Sequence, residues 1–138
     1  MKFTAFAMVV AALLGVPAMG QDAQSISQAQ AAATTWLALV DAGKYSASWE
    51  QAAGPFKAAV PEPSWEAAAT RARAPLGAFK SRQILSSTFT HTLPGAPDGD
   101  YVVIKYSSQF ENKGSAVETV TPLREKDGTW RVSGYYVK

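Results

Sequence analysis

The stretch SAVETVTPLREKDGTWRVSGYYVK, residues 115–138, decides the fold of this chain. Two strand-like runs flank a short polar segment, and this pattern predicts a β-hairpin. The pair Asp127-Gly128 supplies the positive φ angles that a two-residue hairpin turn requires. Because hairpin strands pair with each other, the sequence predicts an antiparallel sheet whose last strand is held by ladder hydrogen bonds up to the end of the chain.

The last strand predicts aromatic side chains on both faces of that sheet. Alternation divides it into two sets, with Trp130, Val132, Gly134 and Tyr136 on one face and Arg131, Ser133, Tyr135 and Val137 on the other. Such a sheet either curls strongly around its helices or meets a partner through its outer face. A second copy of the chain is the simplest such partner.

Two further strands are predicted before the hairpin. The first covers 78–92, with Phe79, Leu85 and Phe89 on one parity and Ile84 on the other, which predicts a bend or bulge midway. The second is YVVIKYSSQF, residues 101–110, and the turn-rich segment LPGAPDGD connects the two. The side chains of the second strand that share one face are Val102, Ile104, Tyr106 and Phe110.

The region before Gly77 has helical periodicity instead. A helix is predicted over 22–41, where apolar residues recur at steps of three and four, with a capping box at Ser25 and Gln28 and a stop at Gly43. Shorter helical segments follow at 46–53, from Pro55, and at 63–72. Helices followed by strands in meander order predict an α+β fold, with N-terminal helices packed on a four-stranded antiparallel sheet.

The first twenty residues, MKFTAFAMVVAALLGVPAMG, have the plan of a secretory signal peptide cleaved after about Gly20. Their apolar run is about fourteen residues, shorter than the roughly 18 to 20 that a spanning helix needs. We therefore expect a signal peptide at 1–20, a single α+β domain at 21–138, and a periplasmic or secreted bacterial protein without a membrane anchor. Because cysteine is absent, bacterial periplasmic export fits this chain better than a disulfide-rich secreted miniprotein does.

Composition argues against several kinds of function. The chain has 13 Lys and Arg against 11 Asp and Glu, and removal of Lys2 lowers that excess further, so no basic surface for nucleic acid or anionic membranes is expected. Cysteine is absent, and the single His91 is expected to be exposed at a strand end. These residues cannot form a recognisable zinc site or nucleophilic triad, and we expect no cofactor.

Four stretches carry a resemblance to a known family: WLALVDAGKYSASWE at 36–50, RAPLGAF at 73–79, LPGAPDGDYVV at 93–103 and ETVTPLREKDGTWRVSGYY at 118–136. Over nearly the whole predicted mature chain, the sequence resembles a bacterial secreted family catalogued as a domain of unknown function, numbered four thousand and nineteen. The resemblance implies a small exported domain shaped like the cone of cystatin-like and nuclear-transport-factor-two-like folds. It implies no activity and no catalytic residues.

A cone of helices around a curved sheet can enclose a pocket, and several side chains are candidates to line it. The candidate ligand-binding residues are Trp36, Trp49, Trp65, Arg71, Arg73, Tyr106, Glu118 and Tyr135. The tryptophans fit a core equally well, since aromatic residues at helical spacing are usually buried. Arg71 and Arg73, with Lys80 and Arg82, form either an anion clamp or, for the first two, a favourable helix C-terminus.

Two functions from different classes remain open. The first is a non-enzymatic module that binds a second copy through the sheet or a small ligand in the cone. The second is a small isomerase- or hydrolase-like enzyme with Glu118 or Asp41 as its acid-base group, Glu50 being a weaker candidate, and Tyr106 or Tyr135 as hydrogen-bond donor. Against the enzyme, Asp41 is expected to be a solvated helix end, and Glu118 to pair with Lys105 or Arg131 across strands.

Overall fold

The computed structural model describes residues 18–138, so residues 1–17 of the predicted signal peptide lie outside the described residues. The first helix, α1 (Ala18–Asp41), contains the predicted cleavage position after Gly20, and the four residues that follow Gly20 are exposed. No helix within residues 18–138 has both the length and the apolar character to cross a bilayer.

Helix α1 buries the apolar stripe that its periodicity predicts. Its buried residues recur at steps of three and four: Ala29, Ala33, Trp36, Leu37 and Val40. The helix ends in a Schellman motif, in which Gly43 has a φ of 73° and the amides of Gly43 and Lys44 donate to the carbonyls of Val40 and Leu39. The predicted capping box is wrong, because Ser25 and Gln28 lie inside the helix rather than at its start.

Three shorter helices follow: α2 (Tyr45–Glu50), α3 (Gly54–Ala59) and α4 (Glu62–Arg73). Helix α2 ends three residues earlier than predicted. Proline occupies the first turn of both α3 and α4, where its missing N–H leaves no helical hydrogen bond unmade. Helix α4 ends ahead of Pro75 in a 3₁₀ turn, Ala74–Leu76, which leads into the sheet.

The predicted α+β fold is confirmed, with one open antiparallel sheet of four strands in the order β1-β2-β3-β4. The strands are β1 (Phe79–Thr90), β2 (Tyr101–Phe110), β3 (Lys113–Arg124) and β4 (Trp130–Val137). Helix α1 packs across all four strands, and the main core forms between α1, α4 and the covered face of the sheet.

The pairing of the strands has register shifts at Phe79/Ser81, Ile84/Ser86, Ser108/Phe110 and Thr121/Pro122, and bulges among them decide which side chains face the helices. The bulge predicted in β1 lies at Leu85, between the pairs that Ile84 and Ser86 make with β2. A second bulge at Ser133 was not predicted, and it places Val132 and Tyr135 on the same, covered face. The predicted strict alternation of β4 is therefore wrong, and Tyr136, 61% exposed, lies on the outer face.

Apart from Val117 and Tyr136, the exposed side chains on the outer face of the sheet are mainly polar. The register of the strands places on it Ser81, Gln83, Ser86, Thr88, Lys105, Ser107, Gln109, Thr119 and Thr121. Ser, Thr and Gln side chains are usually exposed to solvent, where water hydrogen-bonds to them, so this face is stable without a second layer packed on it.

The hairpin between β3 and β4 exists, but its turn differs from the prediction. Glu125 and Thr129 pair through a hydrogen bond from the Glu125 amide, which leaves three residues in the loop instead of two. Within the loop only Gly128 has a positive φ, 85°, and its amide donates to the Glu125 carbonyl. This is a type I turn followed by a left-handed glycine, the usual three-residue hairpin.

Replacing Gly128 with Ala is expected to lower the free energy of unfolding by about 1 kcal/mol, because a Cβ is strained at positive φ. Gly114→Ala is the matched control, since Gly114 lies in a strand, has no positive φ and has open space around it. Urea unfolding measures both variants. Equal stabilities of the two variants would contradict the left-handed turn.

Candidate functional site

A carboxylate lies at the centre of the covered face of the sheet. Glu118 follows the buried parity of β3, between Ala116 and Val120, and its side chain is 0% exposed. A carboxylate in such a place is strongly unfavourable unless it is paired and hydrogen-bonded. The structure therefore has to supply donors to both of its oxygens.

Both oxygens of Glu118 have donors. Oε1 accepts from Nε of Arg82 at 3.0 Å, from Nη2 of Arg82 at 2.8 Å and from the Ser108 hydroxyl at 2.6 Å. Oε2 accepts from the Tyr135 hydroxyl at 2.5 Å. Each oxygen of Glu118 is thus hydrogen-bonded, by partners from β1 and β2 at Oε1 and from β4 at Oε2.

Arg82 connects Glu118 to a second carboxylate at the end of α1. Nη1 and Nη2 of Arg82 donate to Oδ2 and Oδ1 of Asp41 at 2.7 and 2.9 Å, a bidentate pair. Oδ1 of Asp41 also accepts from Nη2 of Arg73 at 2.8 Å. A carboxylate at a helix C-terminus opposes the helix dipole, and two guanidinium groups offset that here.

These residues form one connected unit, which we call the Glu118 network. Its members are Asp41, Arg73, Arg82, Ser108, Glu118 and Tyr135. Each member belongs to a different element, so the network joins α1 and α4 to all four strands. With two arginines and two carboxylates, its formal charges cancel.

Aromatic rings surround the two guanidinium groups. The Arg82 guanidinium lies 3.9 Å from the ring centre of Phe79 and 5.9 Å from that of Tyr106, and the Arg73 guanidinium lies 4.7 Å from that of Phe110. Cation–π contacts of this kind favour a buried guanidinium and exclude water from it.

The network shifts the pKa values of its neighbours in consistent directions. Burial lowers the pKa of Arg82, but hydrogen bonds and charges from Asp41 and Glu118 outweigh burial, and the net shift is upward. Burial, reinforced by the charge of Glu118, raises the pKa of Tyr135 well above its usual range. Burial also raises the pKa of Tyr106, to about 12. Both tyrosines therefore keep their hydroxyl protons at neutral pH. Tyr135 donates a hydrogen bond to Glu118, whereas the Tyr106 hydroxyl has no acceptor among residues 18–138.

A groove of about 420 Å³ opens beside the network, between α1 and the β1–β2 side of the sheet. Its lining is Thr34, Leu37, Ala38, Asp41, Phe79, Arg82, Ile84 and Tyr106. The side chains of Asp41 and Arg82 are each 14% exposed, and they are the two members of the network that line this groove. Ile84, 46% exposed, forms part of its rim.

Three buried polar atoms beside the network have no hydrogen-bond partner among the described residues. They are the Tyr106 hydroxyl and the Nε and Nη1 atoms of Arg73. Buried donors are nearly always satisfied, by protein, water or ligand. Tyr106 lines the groove, but its hydroxyl oxygen is itself buried, so the polar edge that the groove presents comes from Asp41 and Arg82.

The structure corrects two sequence predictions. Asp41 is not a solvated helix end, because Arg73 and Arg82 both bind its carboxylate. Glu118 pairs with Arg82 two strands away, not with Lys105 or Arg131. The strand register explains this, because Lys105 pairs with Thr119 and Arg131 pairs with Leu123. The side chains of Lys105 and Arg131 therefore lie on the outer face of the sheet, opposite to Glu118.

The other predicted site residues divide into two groups. Glu118, Tyr135, Arg73 and Tyr106 come together at or beside the network, whereas Arg71 is exposed in the last turn of α4. The three candidate tryptophans lie in or against the main core, and each indole N–H already has a protein acceptor: Trp36 and Trp65 bond to Ser48, and Trp49 bonds to Val60. Their ligand-binding role stays a prediction.

Sequence reasoning missed Ser108 and the role of Arg82. The signal for Ser108 was present, because it occupies the gap in the buried parity of β2 between Tyr106 and Phe110. Arg82 was noticed only as part of a basic stretch. Its inward direction follows from the pairing of Arg82 with Ser108, which needs the strand register.

Outside the network, the polar clusters are small. His91 is exposed, as predicted, and bonds to Asp100 at 3.0 Å. Within residues 18–138, no group of three or more His, Cys, Asp or Glu residues is arranged to hold a metal ion.

The fold and the network define a class of small α+β domains with an open four-stranded sheet, a covered charge network and an adjoining groove. Residues 32–135 match the model of the family described as "Protein of unknown function (DUF4019)", and the chain belongs to that family. Comparison with curated proteins and with solved structures finds no match. The predicted family is confirmed, while the likeness to cystatin-like cones stays a prediction.

Replacing Glu118 with Gln is expected to lower the free energy of unfolding by about 3 kcal/mol, because Arg82 loses a buried counter-charge. Glu50→Gln is the matched control, an exposed glutamate expected to change stability by less than about 0.5 kcal/mol. Urea unfolding of both variants measures the difference. A loss below about 1 kcal/mol for Glu118→Gln would mean that the network does not support the fold.

Alkaline pH should weaken the fold through Tyr106. The pKa of Tyr106 is raised to about 12 in the folded protein, so the unfolded chain loses this proton first, at a pKa of about 10. The raised pKa of Tyr106 therefore contributes to the free energy of unfolding below about pH 10, and this contribution is lost as the pH rises toward about 12. From about pH 9 to about pH 11, the wild-type free energy of unfolding should fall by about 1 kcal/mol more than that of Tyr106→Phe. Equal decreases would contradict the shift.

Proposed function

We propose that this protein is an exported, non-catalytic binding module, and that the groove between α1 and the β1–β2 side of the sheet holds a small ligand. The observation that carries the proposal is the groove itself, which combines apolar walls with the partly exposed edges of Asp41 and Arg82. Its volume of about 420 Å³ is in the range of small-molecule sites.

The state of the two carboxylates supports a non-catalytic role. A general base must have an oxygen within reach of the proton that it removes. Glu118 is 0% exposed and both of its oxygens accept hydrogen bonds from the protein. Asp41 is held by two guanidinium groups, since its carboxylate pairs with both Arg73 and Arg82.

The polarity of the outer sheet face supports a small ligand over self-association. Stable homodimer interfaces are rich in apolar side chains at their centre. Here the outer face presents mostly Ser, Thr and Gln side chains, with Val117 and Tyr136 as its exposed large apolar residues. The groove offers a more apolar surface, from Leu37, Ala38 and Phe79.

The export part of the proposal is based on residues 1–20, whose sequence has the plan of a secretory signal peptide. The exposed residues after Gly20 are compatible with cleavage there, because the buried positions of α1 within residues 20–41 begin at Ala29.

Filling the groove should abolish binding without unfolding the protein. Ala38 is an exposed residue of α1 that lines the groove, so Ala38→Trp is expected to weaken binding of the neutral fluorescent probe Nile red by about tenfold or more. Fluorescence titration measures the affinity, and circular dichroism checks the fold.

The matched control is Ala31→Trp, an exposed position on the same helix that does not line the groove. It should bind Nile red as the wild type does. If both tryptophan variants bind equally well, or the wild type does not bind the probe, the groove is not a binding site and the proposal is wrong.

A further inference from the structure

We infer that the groove selects ligands with an apolar body and an uncharged head group that both donates and accepts a hydrogen bond, such as a primary amide, and rejects carboxylates and amines. This inference rests on the proposed function and adds the chemical class of the ligand. It follows from the charges and the free hydrogen-bonding positions of Asp41 and Arg82 at the groove.

The first step is the charge balance. The guanidinium of Arg82 is shared between Asp41 and Glu118, and Arg73 gives Asp41 a second cation. The network has two positive and two negative groups, so neither sign is left over to pair with a charged ligand. A charged head group would leave water for a place without a counter-ion, which is strongly unfavourable.

The second step is the count of hydrogen bonds. Arg82 has five N–H groups and uses four of them on Asp41 and Glu118, which leaves one on Nη1. Asp41 has about four acceptor positions, and residues 18–138 fill both on Oδ1 and one on Oδ2. The free donor and the free acceptor therefore belong to atoms only 2.7 Å apart.

The third step is the match between this pair and a head group. A primary amide presents a carbonyl acceptor beside an N–H donor, so it can accept from Nη1 of Arg82 and donate to Oδ2 of Asp41 at once. A carboxylate has no hydrogen to donate to Asp41, and an ammonium has no lone pair to accept from Arg82. The apolar walls from Leu37, Ala38 and Phe79 then cover the body of the ligand.

The test uses octanamide, octanoate and octylamine at neutral pH, which share an eight-carbon body and differ in the charge of the head group. Displacement of Nile red from the intact protein measures each affinity. Octanamide should bind about tenfold or more tightly than either charged probe. N,N-dimethyloctanamide, which accepts but cannot donate, should bind several-fold more weakly than octanamide.

A second variant ties the selectivity to the groove. Ile84→Glu places a negative charge on the exposed rim of the groove, and it should move the preference toward octylamine. If octanoate or octylamine binds the wild type as tightly as octanamide, the inference is overturned, although Nile red binding that Ala38→Trp abolishes would still support the proposed function. If neither Nile red nor any octyl probe binds, both are wrong.

Discussion

A buried carboxylate is the constraint on which the rest of this structure depends. Glu118 stands at the centre of the covered sheet face with no exposed surface, and such a group is tolerated only when donors surround it. Arg82, Ser108 and Tyr135 supply those donors from the three other strands, and Asp41 with Arg73 extends the network to two helices. A misplaced strand or helix would leave a charge unpaired, so the network favours one register and one docking of α1 over the alternatives.

The same network shapes the groove. Because Asp41 and Arg82 neutralise each other, the groove has polar edges without net charge, next to apolar walls from α1 and β1. Glu118 has no exposed surface and accepts hydrogen bonds at both oxygens, so it cannot reach a proton on a molecule bound in the groove. The network thus holds the helices on the sheet, and the proposed ligand would contact only two of its members, Asp41 and Arg82.

The sequence predicted the elements of the fold well, because each element has strong local signals. The buried stripe of α1, the glycine stop at Gly43 and the order of the four strands all follow from periodicity and turn residues. The network was predicted only in part. Glu118, Tyr135 and Arg73 were candidates, but their partners depend on strand register and on the bulge at Ser133, which shifts Tyr135 to the covered face. No local pattern encodes such a shift, so Ser108 was missed and Asp41 was expected in solvent.

The most direct test of this account is a double-mutant cycle in which urea unfolding is measured for Arg82→Met, Glu118→Met and the variant that carries both changes. Each single variant leaves one buried charge without its main partner, while the double variant replaces the pair with apolar side chains. The account predicts that the double variant is at least about 2 kcal/mol more stable than the sum of the two single losses implies. Losses that add to within about 0.5 kcal/mol would contradict the central place of this pair in the fold.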